Sequence, residues 1–337
     1  MARSSNMMKV LLTGASGFAG SHMLKELIDT SHSEVICPVT YRHGGNSKRI
    51  PALLEGKDTA LYKICDLDLA NEKSIEKILS FDFDTIINFA SESHVDRSIK
   101  KPLKFFHNNI DLMVNLLEIA RIKGIKNFTH ISTDEVYGSL PTGSINKEWQ
   151  YPHRPSNPYS ASKSAQESLA MSYCKTFNIP ITIINSTNLI GEAQNQEKFL
   201  PKIISSIISQ EVIYVDTDNE KRMGSRKYLY AGDLAKAVIK VINTKSLVED
   251  FPRKFHISGS EEYSNLDVVN LVGSLLGIDP RIQIRISPRP GYDLRYELNS
   301  DRLKSLGWEE SDVIKNHIAK ILNWTLSNPD WLTIDYH

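Results

Sequence analysis

The chain predicts an α/β protein built on a doubly wound parallel sheet, with a smaller α/β lobe supplied mostly by its C-terminal part. Three observations carry this. Short apolar runs alternate with helix-patterned segments from residue 9 to residue 185, the order expected of βαβ units. The first run ends in Thr13-Gly14-Ala15-Ser16-Gly17-Phe18-Ala19-Gly20, with glycines spaced to let a strand turn sharply into a helix. Polar clusters follow the later runs, at the carboxyl edge where open α/β sheets bind ligands.

Residues 9–12 read as the first strand and 22–28 as the first helix. Residues 35–39 and 60–65 are the second and third strands, 74–79 a helix, and 85–89 the fourth strand. Segment 103–121 is helical because Met113, Leu116, Leu117 and Ala120 fall on one stripe. Residues 127–132 form the fifth strand, 160–177 a long helix opened by Asn157-Pro158, and 181–185 the sixth strand. Beyond Gly191 the alternation gives way to helices 200–210, 234–243 and 265–276, with short strands 212–215, 255–257 and 283–286 between loops. We expect a dinucleotide-binding domain over 1–190, its first six residues disordered. A second domain over 191–337 would bind substrate and return some segments to the first.

Bulk properties narrow the partners. Lys plus Arg and Asp plus Glu stand at 40 each among 337 residues, so nothing predicts broad electrostatic attraction to nucleic acid or membrane. No apolar run approaches the roughly 18 residues of a membrane span, and the polar start lacks the apolar core of a signal peptide. Cys37, Cys65 and Cys174 are too few and scattered for a disulfide framework or a zinc site. They read as thiols of a cytoplasmic protein. His94 and Asp96 have no further His or Cys cluster beside them, so no metal is expected. Trp149, Trp308, Trp324 and Trp331 are too dispersed for a base-stacking platform and read as packing.

In the glycine loop, Gly14 allows the tight turn, Gly17 lets backbone approach a pyrophosphate, and Gly20 packs helix on strand. Ser16, Phe18 and Ala19 share that turn, and the helix start presents unpaired N–H groups to phosphates. The second strand ends in Val39-Thr40-Tyr41-Arg42-His43-Gly44-Gly45-Asn46, without the acid that usually takes ribose hydroxyls. Arg42, aided by Lys48 or Arg49, could meet a 2′-phosphate, or these could be solvated loop cations. Both NAD and NADP stay open on these residues. Asp66, directly after the third strand, is placed to accept from an adenine amino group or to cap a helix.

Tyr159 and Lys163 lie four apart and share a helix face. A phenol ionises near pH 10, and a nearby ammonium together with a nicotinamide cation favours its phenolate. Thr133, Asp134 and Glu135 follow the fifth strand. Simple oxidation of a carbinol does not need two carboxylates. Elimination of water does: a base removes the proton next to a carbonyl and an acid protonates the leaving hydroxyl. Adjacent carboxylates can divide that labour if their surroundings separate their pKa values, although the pair could also merely cap a loop.

Together these residues resemble the extended short-chain dehydrogenase/reductases, a Rossmann-type superfamily, and within it the nucleotide-sugar 4,6-dehydratases, nearest the branch acting on dTDP-glucose. The resemblance covers almost the whole chain. It rests on Asn88-Phe89-Ala90-Ser91-Glu92-Ser93-His94-Val95-Asp96-Arg97-Ser98-Ile99, the run from Ser132 to Gly138, the run from Pro155 to Lys163, Glu197-Lys198-Phe199-Leu200-Pro201, Arg226-Lys227-Tyr228-Leu229-Tyr230 and Arg289-Pro290-Gly291-Tyr292. It implies that Tyr159 takes the proton from the sugar C4 hydroxyl while hydride leaves C4, with Lys163 on the nicotinamide ribose. Glu135 would remove the C5 proton, Asp134 would protonate the departing C6 hydroxyl, and hydride would return to C6. Thr133 would bind the C4 oxygen. Ser93 and Asn188 would touch sugar or phosphate, Arg226 and Arg289 would neutralise the pyrophosphate, and Glu197, Lys198 and Tyr292 would lie on the nucleotide side. Leu67 and Ala90 would join the cofactor site. The resemblance further implies a tightly bound NAD that is recycled, a nucleotide-sugar substrate, and a homodimer paired through the helices at 103–121 and 160–177.

Several positions depart from that pattern. The missing acid after the second strand, with Arg42, Asn46 and Arg49-Ile50, is more like the NADP-using GDP-mannose branch. Asn188-Leu189-Ile190-Gly191-Glu192 and Tyr292 replace the usual residues on the nucleotide side, which leaves UDP- and GDP-linked sugars as alternatives to dTDP-glucose. A 4-epimerase or decarboxylase would share Tyr159 and Lys163 but usually lacks the Asp134-Glu135 pair. A non-catalytic nucleotide sensor would be expected to have lost one of these groups.

Overall fold

The computed structural model describes residues 7–30, 33–42, 44–140, 144–149, 153–244, 252–288 and 293–332. Its first half alternates as expected: β1 (Lys9–Thr13), α1 (Phe18–Thr30), β2 (Glu34–Val39), α2 (Arg49–Leu53), β3 (Tyr62–Asp66), α3 (Ser74–Leu79), β4 (Thr85–Asn88), α4 (Val95–Lys100), α5 (Pro102–Lys123), β5 (Asn127–Thr133), α6 (Pro158–Phe177) and β6 (Ile181–Ser186). The second half runs β7 (Leu189–Ile190), α7 (Phe199–Ile208), β8 (Val212–Thr217), β9 (Ser225–Lys227), β10 (Leu229–Tyr230), α8 (Ala231–Asn243), β11 (Arg253–Ile257), β12 (Glu262–Ser264), α9 (Asn265–Leu276), β13 (Arg281–Ile286), α10 (Asp301–Lys304) and α11 (Ile314–Ser327).

The main sheet has seven strands in the order β11-β6-β5-β4-β1-β2-β3, and all its pairings are parallel. Side chains alternate between two buried faces. Val10 and Leu12 join a core with Leu24 and Leu27 of α1 and Leu234 and Val238 of α8. Leu11 points the other way, into a core with Met113, Leu116 and Leu117 of α5 and Ala170 and Cys174 of α6. Burial on both faces is why these strands read as continuous apolar runs. Each fully buried Leu or Ile contributes roughly 1.5–3 kcal/mol. A third core joins α7, β8, α9 and α11 through Ile203, Ile207, Val215, Val269 and Ile318.

The differences from expectation are local. The first helix starts at Phe18, directly on the glycine loop, rather than at His22. The third strand starts at Tyr62 because Asp58 caps a single 3-10 turn over Thr59–Leu61, accepting from the Ala60 N–H. The strand at Arg253–Ile257 lies beside β6 in the main sheet. Helix α11 and the two-residue strands β7 and β10 were not expected. Cys37, Cys65 and Cys174 are buried free thiols.

Candidate active site

The order 3-2-1-4-5-6 reverses direction beside β1, and a cleft opens there at the carboxyl ends of the strands, where doubly wound sheets hold ligands. Its lining includes Gly14, Ser16, Gly17, Phe18, Ala19 and Gly20 of the first loop, with Leu67 and Ala90 nearby and Thr133, Asp134, Glu135, Tyr159 and Lys163 deeper in. A second lobe adds Glu197 and Arg226, and Ser93, Glu135, Asn188 and Lys198 line both lobes. Thus residues scattered from 14 to 226 converge on one continuous site. Arg289 and Tyr292 lie outside the described residues.

The glycine loop is shaped for close approach. Gly14 has φ +74°, and a Cβ there would stand 2.7 Å from the Ala90 nitrogen. A Cβ on Gly20 would stand 2.1 Å from the Gly14 oxygen, so only glycine lets α1 start this near the turn. Behind it, Thr13 Oγ1 donates to Asn88 Oδ1 at 2.6 Å.

At the ribose end the expectations need correcting. Arg49 is 1 % exposed and cannot serve a 2′-phosphate. Its guanidinium donates to the Ala193, Ser16 and Gly44 carbonyls at 2.9, 2.5 and 3.0 Å and to Asn195 Oδ1 at 3.2 Å, which ties the glycine loop to two later loops. Its planar fork of donors suits that task, and burial lowers its pKa to about 10. Arg42 lines the cleft but is ion-paired with Asp68. Asp66 is exposed at the end of β3, because Cys65 takes the inward position; Leu67 and Asp68 face the cleft instead.

The groups expected to react are set by two caps. Asn157 closes a capping box with Ser160 ahead of Pro158 and starts α6, which aims Tyr159 and Lys163 at the cleft. Thr133 ends β5 and accepts from the Glu135 N–H at 3.3 Å, which turns the chain so that Asp134 and Glu135 face the same space. Thr133 Oγ1 also donates to Asp134 Oδ1 at 3.1 Å. Asp134 is 3 % exposed, and its Oδ2 is buried without a partner among the described residues. Burial, then the Glu135 charge, raises its pKa to about 7. Glu135 is raised too, by burial, against the Asn157 amide that donates to its Oε2 at 3.4 Å.

Lys163 departs from expectation. Its ammonium donates to the Ile131 carbonyl at 2.7 Å and meets His130 Nε2 at 3.5 Å, and burial lowers it to about 7. The Tyr159 phenol is pushed up by burial, then by Glu135. Burial and the neighbouring carboxylates thus favour the protonated phenol over the phenolate, against the Thr133 hydroxyl, and a positive nicotinamide ring would add to the pull toward phenolate.

On the second lobe, Lys198 donates to the Ser93 carbonyl at 3.2 Å and Glu197 pairs with Arg97 at 2.9 Å. Arg226 donates to the Ser225, Leu294 and Asp293 carbonyls, and its guanidinium lies 4.7 Å from the Tyr296 ring centre. His94 accepts from the Arg97 N–H at 3.3 Å and so caps α4.

A model of the NAD dependent epimerase/dehydratase family matches residues 10–257. The chain belongs to that family. Among its relatives, the chain is 33% identical to an Escherichia coli dTDP-glucose 4,6-dehydratase, over 96% of this chain and 95% of that one. It is 32% identical to a trifunctional UDP-glucose 4,6-dehydratase/UDP-4-keto-6-deoxy-D-glucose 3,5-epimerase/UDP-4-keto-L-rhamnose-reductase of Arabidopsis thaliana, over 96% of this chain and 48% of that one. Its fold superposes on the dTDP-glucose 4,6-dehydratase of Streptomyces venezuelae, solved with NAD bound, with a TM-score of 0.87, 27% identity, and coverage of 97% and 100% of the two chains.

The cofactor of this family fits the residues present. The loop from Gly14 to Gly20 lines the cleft together with the start of α1, whose unpaired N–H groups suit the phosphates of a dinucleotide. Sequence reasoning missed what lies under the site. Glu167, fully buried on α6, accepts from Ser132 Oγ at 2.6 Å, Asn185 Nδ2 at 2.7 Å and Lys254 Nζ at 2.7 Å. The one available signal was its place one helical turn after Lys163, on the same face.

Proposed function

We propose that this chain is an NAD-dependent nucleotide-sugar 4,6-dehydratase that converts dTDP-glucose to its 4-keto-6-deoxy product. The observation that carries this reading is the Asp134-Glu135 pair facing the cleft beside Tyr159 and Lys163. NAD supplies the acceptor that oxidises C4 and the reduced form that later completes C6. Tyr159 takes the C4 hydroxyl proton, assisted by Lys163 and Thr133. Oxidation at C4 acidifies the C5 proton, which Glu135 removes. Asp134 protonates the C6 hydroxyl as it leaves. The raised pKa of Asp134 suits an acid that must hold its proton near neutrality. Glu135 then returns its proton to C5.

Gly14, Ser16, Gly17, Phe18, Ala19, Gly20, Arg42, Leu67 and Ala90 would hold the cofactor, and Ser93, Asn188, Glu197, Lys198, Arg226, Arg289 and Tyr292 the nucleotide sugar. Residues 1–190 would thus serve the cofactor and 191–337 mainly the sugar nucleotide. We also read the chain as a homodimer through α5 and α6, supported by a partly exposed apolar stripe at Leu103, Phe106, Ile110 and Val114. Free buried thiols support a reducing, cytoplasmic setting. Among the described residues no helix is long and apolar enough to cross a membrane.

The test is incubation with dTDP-glucose and UDP-glucose separately, with products read by mass. Loss of one water is expected, with dTDP-glucose preferred. A product of unchanged mass and inverted C4 would instead establish an epimerase.

A further inference from the structure

The second strand ends without the acid that usually takes the ribose hydroxyls of NAD. Thr40 follows Val39 there, and Arg42 stands two residues further on. A free guanidinium at this end of the cleft would favour a cofactor carrying a 2′-phosphate. Resting on the reading above, which takes NAD as the cofactor, another group must turn that preference round.

The neighbouring strand end supplies a carboxylate. β2 and β3 pair in parallel with Val39 opposite Asp66, and the Leu67 N–H donates to the Val39 carbonyl at 3.1 Å. The chain leaving β3 therefore runs beside the chain leaving β2, and Asp68 meets Arg42. Both line the cleft, and they form an ion pair. The two partners are not equally fixed. Asp68 Oδ1 accepts from the Ala70 N–H at 3.1 Å, and Ser74 Oγ, at the start of α3, donates to the Asp68 carbonyl at 2.7 Å. The Arg42 side chain is 60 % exposed and leaves from a loop. Among the described residues, the other cations lining this lobe are Lys163 and Lys198, which donate to the Ile131 and Ser93 carbonyls. Arg49 is buried on its own carbonyls. Arg42 is thus the cation that a 2′-phosphate would have to recruit, and an anchored carboxylate already meets its charge.

We propose that Asp68 is a specificity-determining residue that selects NAD over NADP. It holds the Arg42 guanidinium, and it keeps a negative charge at the strand ends that face the cofactor ribose in this kind of fold. Drawing Arg42 onto a 2′-phosphate would strip Asp68 of its counter-ion and leave two anions close together, which is discrimination by repulsion. A ribose with a free 2′-hydroxyl brings no charge there, and a hydroxyl can donate to a carboxylate. Asp68 thereby does from the end of β3 what an acid ordinarily does from the end of β2.

The experiment exchanges the nucleotide of the purified protein to equilibrium in an excess of NAD and NADP at equal concentration. Free nucleotide is then removed, and the bound NADP:NAD ratio is read by chromatography after denaturation. The wild type is expected to carry mostly NAD. Asp68→Asn keeps an acceptor for the Ala70 N–H and removes the charge. Its NADP:NAD ratio is expected to rise roughly 10-fold to 100-fold, the range of one hydrogen bond to a charged group. Arg42→Met is expected to stay with NAD, and the double variant Asp68→Asn with Arg42→Met to lose most of the Asp68→Asn gain. An unchanged ratio in Asp68→Asn would overturn the proposal, as would a double variant that keeps the whole gain. A wild type that carries mostly NADP would overturn the NAD reading and the selection assigned to Asp68 with it. The mass of the sugar product, read separately, tests the dehydratase reading independently of this ratio.

Discussion

Asp134 and Glu135 are neighbours in sequence with unlike surroundings. Asp134 is nearly dry and has one oxygen without a partner, whereas Glu135 is only half-buried and held by Asn157. Burial raises Asp134 to about 7, so its acid form is lost as pH rises through neutrality, and elimination should slow above that point. The same shift has a consequence for stability. A carboxyl raised above its unfolded value near 3.9 contributes fully below that value and costs stability as pH climbs to about 7. Asp134→Asn is therefore expected to raise the unfolding midpoint at pH 8 and to leave it nearly unchanged at pH 4, by denaturant titration, while abolishing turnover. An equal gain at both pH values would mean that Asp134 ionises freely in the fold. Glu135→Gln should still permit oxidation at C4, so reduced nicotinamide absorbance should rise and persist; full turnover by that variant would overturn its role as base.

At the scale of elements, β5 and α6 carry the groups proposed to react, and Glu167 locks them together. Its carboxylate joins Ser132 of β5, Asn185 of β6 and Lys254 of β11, and Asn185 in turn donates to the Thr133 carbonyl at 2.9 Å. Removing one partner of a buried pair strands the other charge, at a cost of about 3–5 kcal/mol. Glu167→Ala should lose about that much in urea unfolding, and the double change Glu167→Leu with Lys254→Met should recover most of it. A loss under about 1 kcal/mol would show that the pair is not desolvated. This network was illegible in the sequence because its members lie up to 122 positions apart (Ser132 to Lys254). Local signals were legible. Helix α9 was expected at the bounds observed, Asn265–Leu276, where a Ser264 capping box and Gly277 mark both ends. Helix α11 was missed because Val313 offers no side-chain cap, although Ile314, Ile318, Ile321 and Leu322 make an apolar stripe. The glycine loop, Tyr159, Lys163 and the acid pair were readable as motifs. The fate of Arg49 was not, since four acceptors from distant loops decide it.

For the whole molecule, the doubly wound sheet explains why one cleft can join a nucleotide loop at residue 14 to an arginine at residue 226. The stripe along α5 makes a further prediction about assembly. Ile110→Glu places a charge in that stripe and should convert a dimer to monomers in sedimentation at micromolar concentration; an unchanged dimer would move the interface elsewhere. The central claim is that one site oxidises C4, expels the C6 hydroxyl and reduces C6 within a single residence of the sugar. The most direct measurement is turnover of dTDP-glucose carrying deuterium at C4, with the label located in the product by NMR. We predict that the deuterium appears in the C6 methyl group of the 4-keto product. Deuterium retained at C4, or lost from the sugar altogether, would contradict the account.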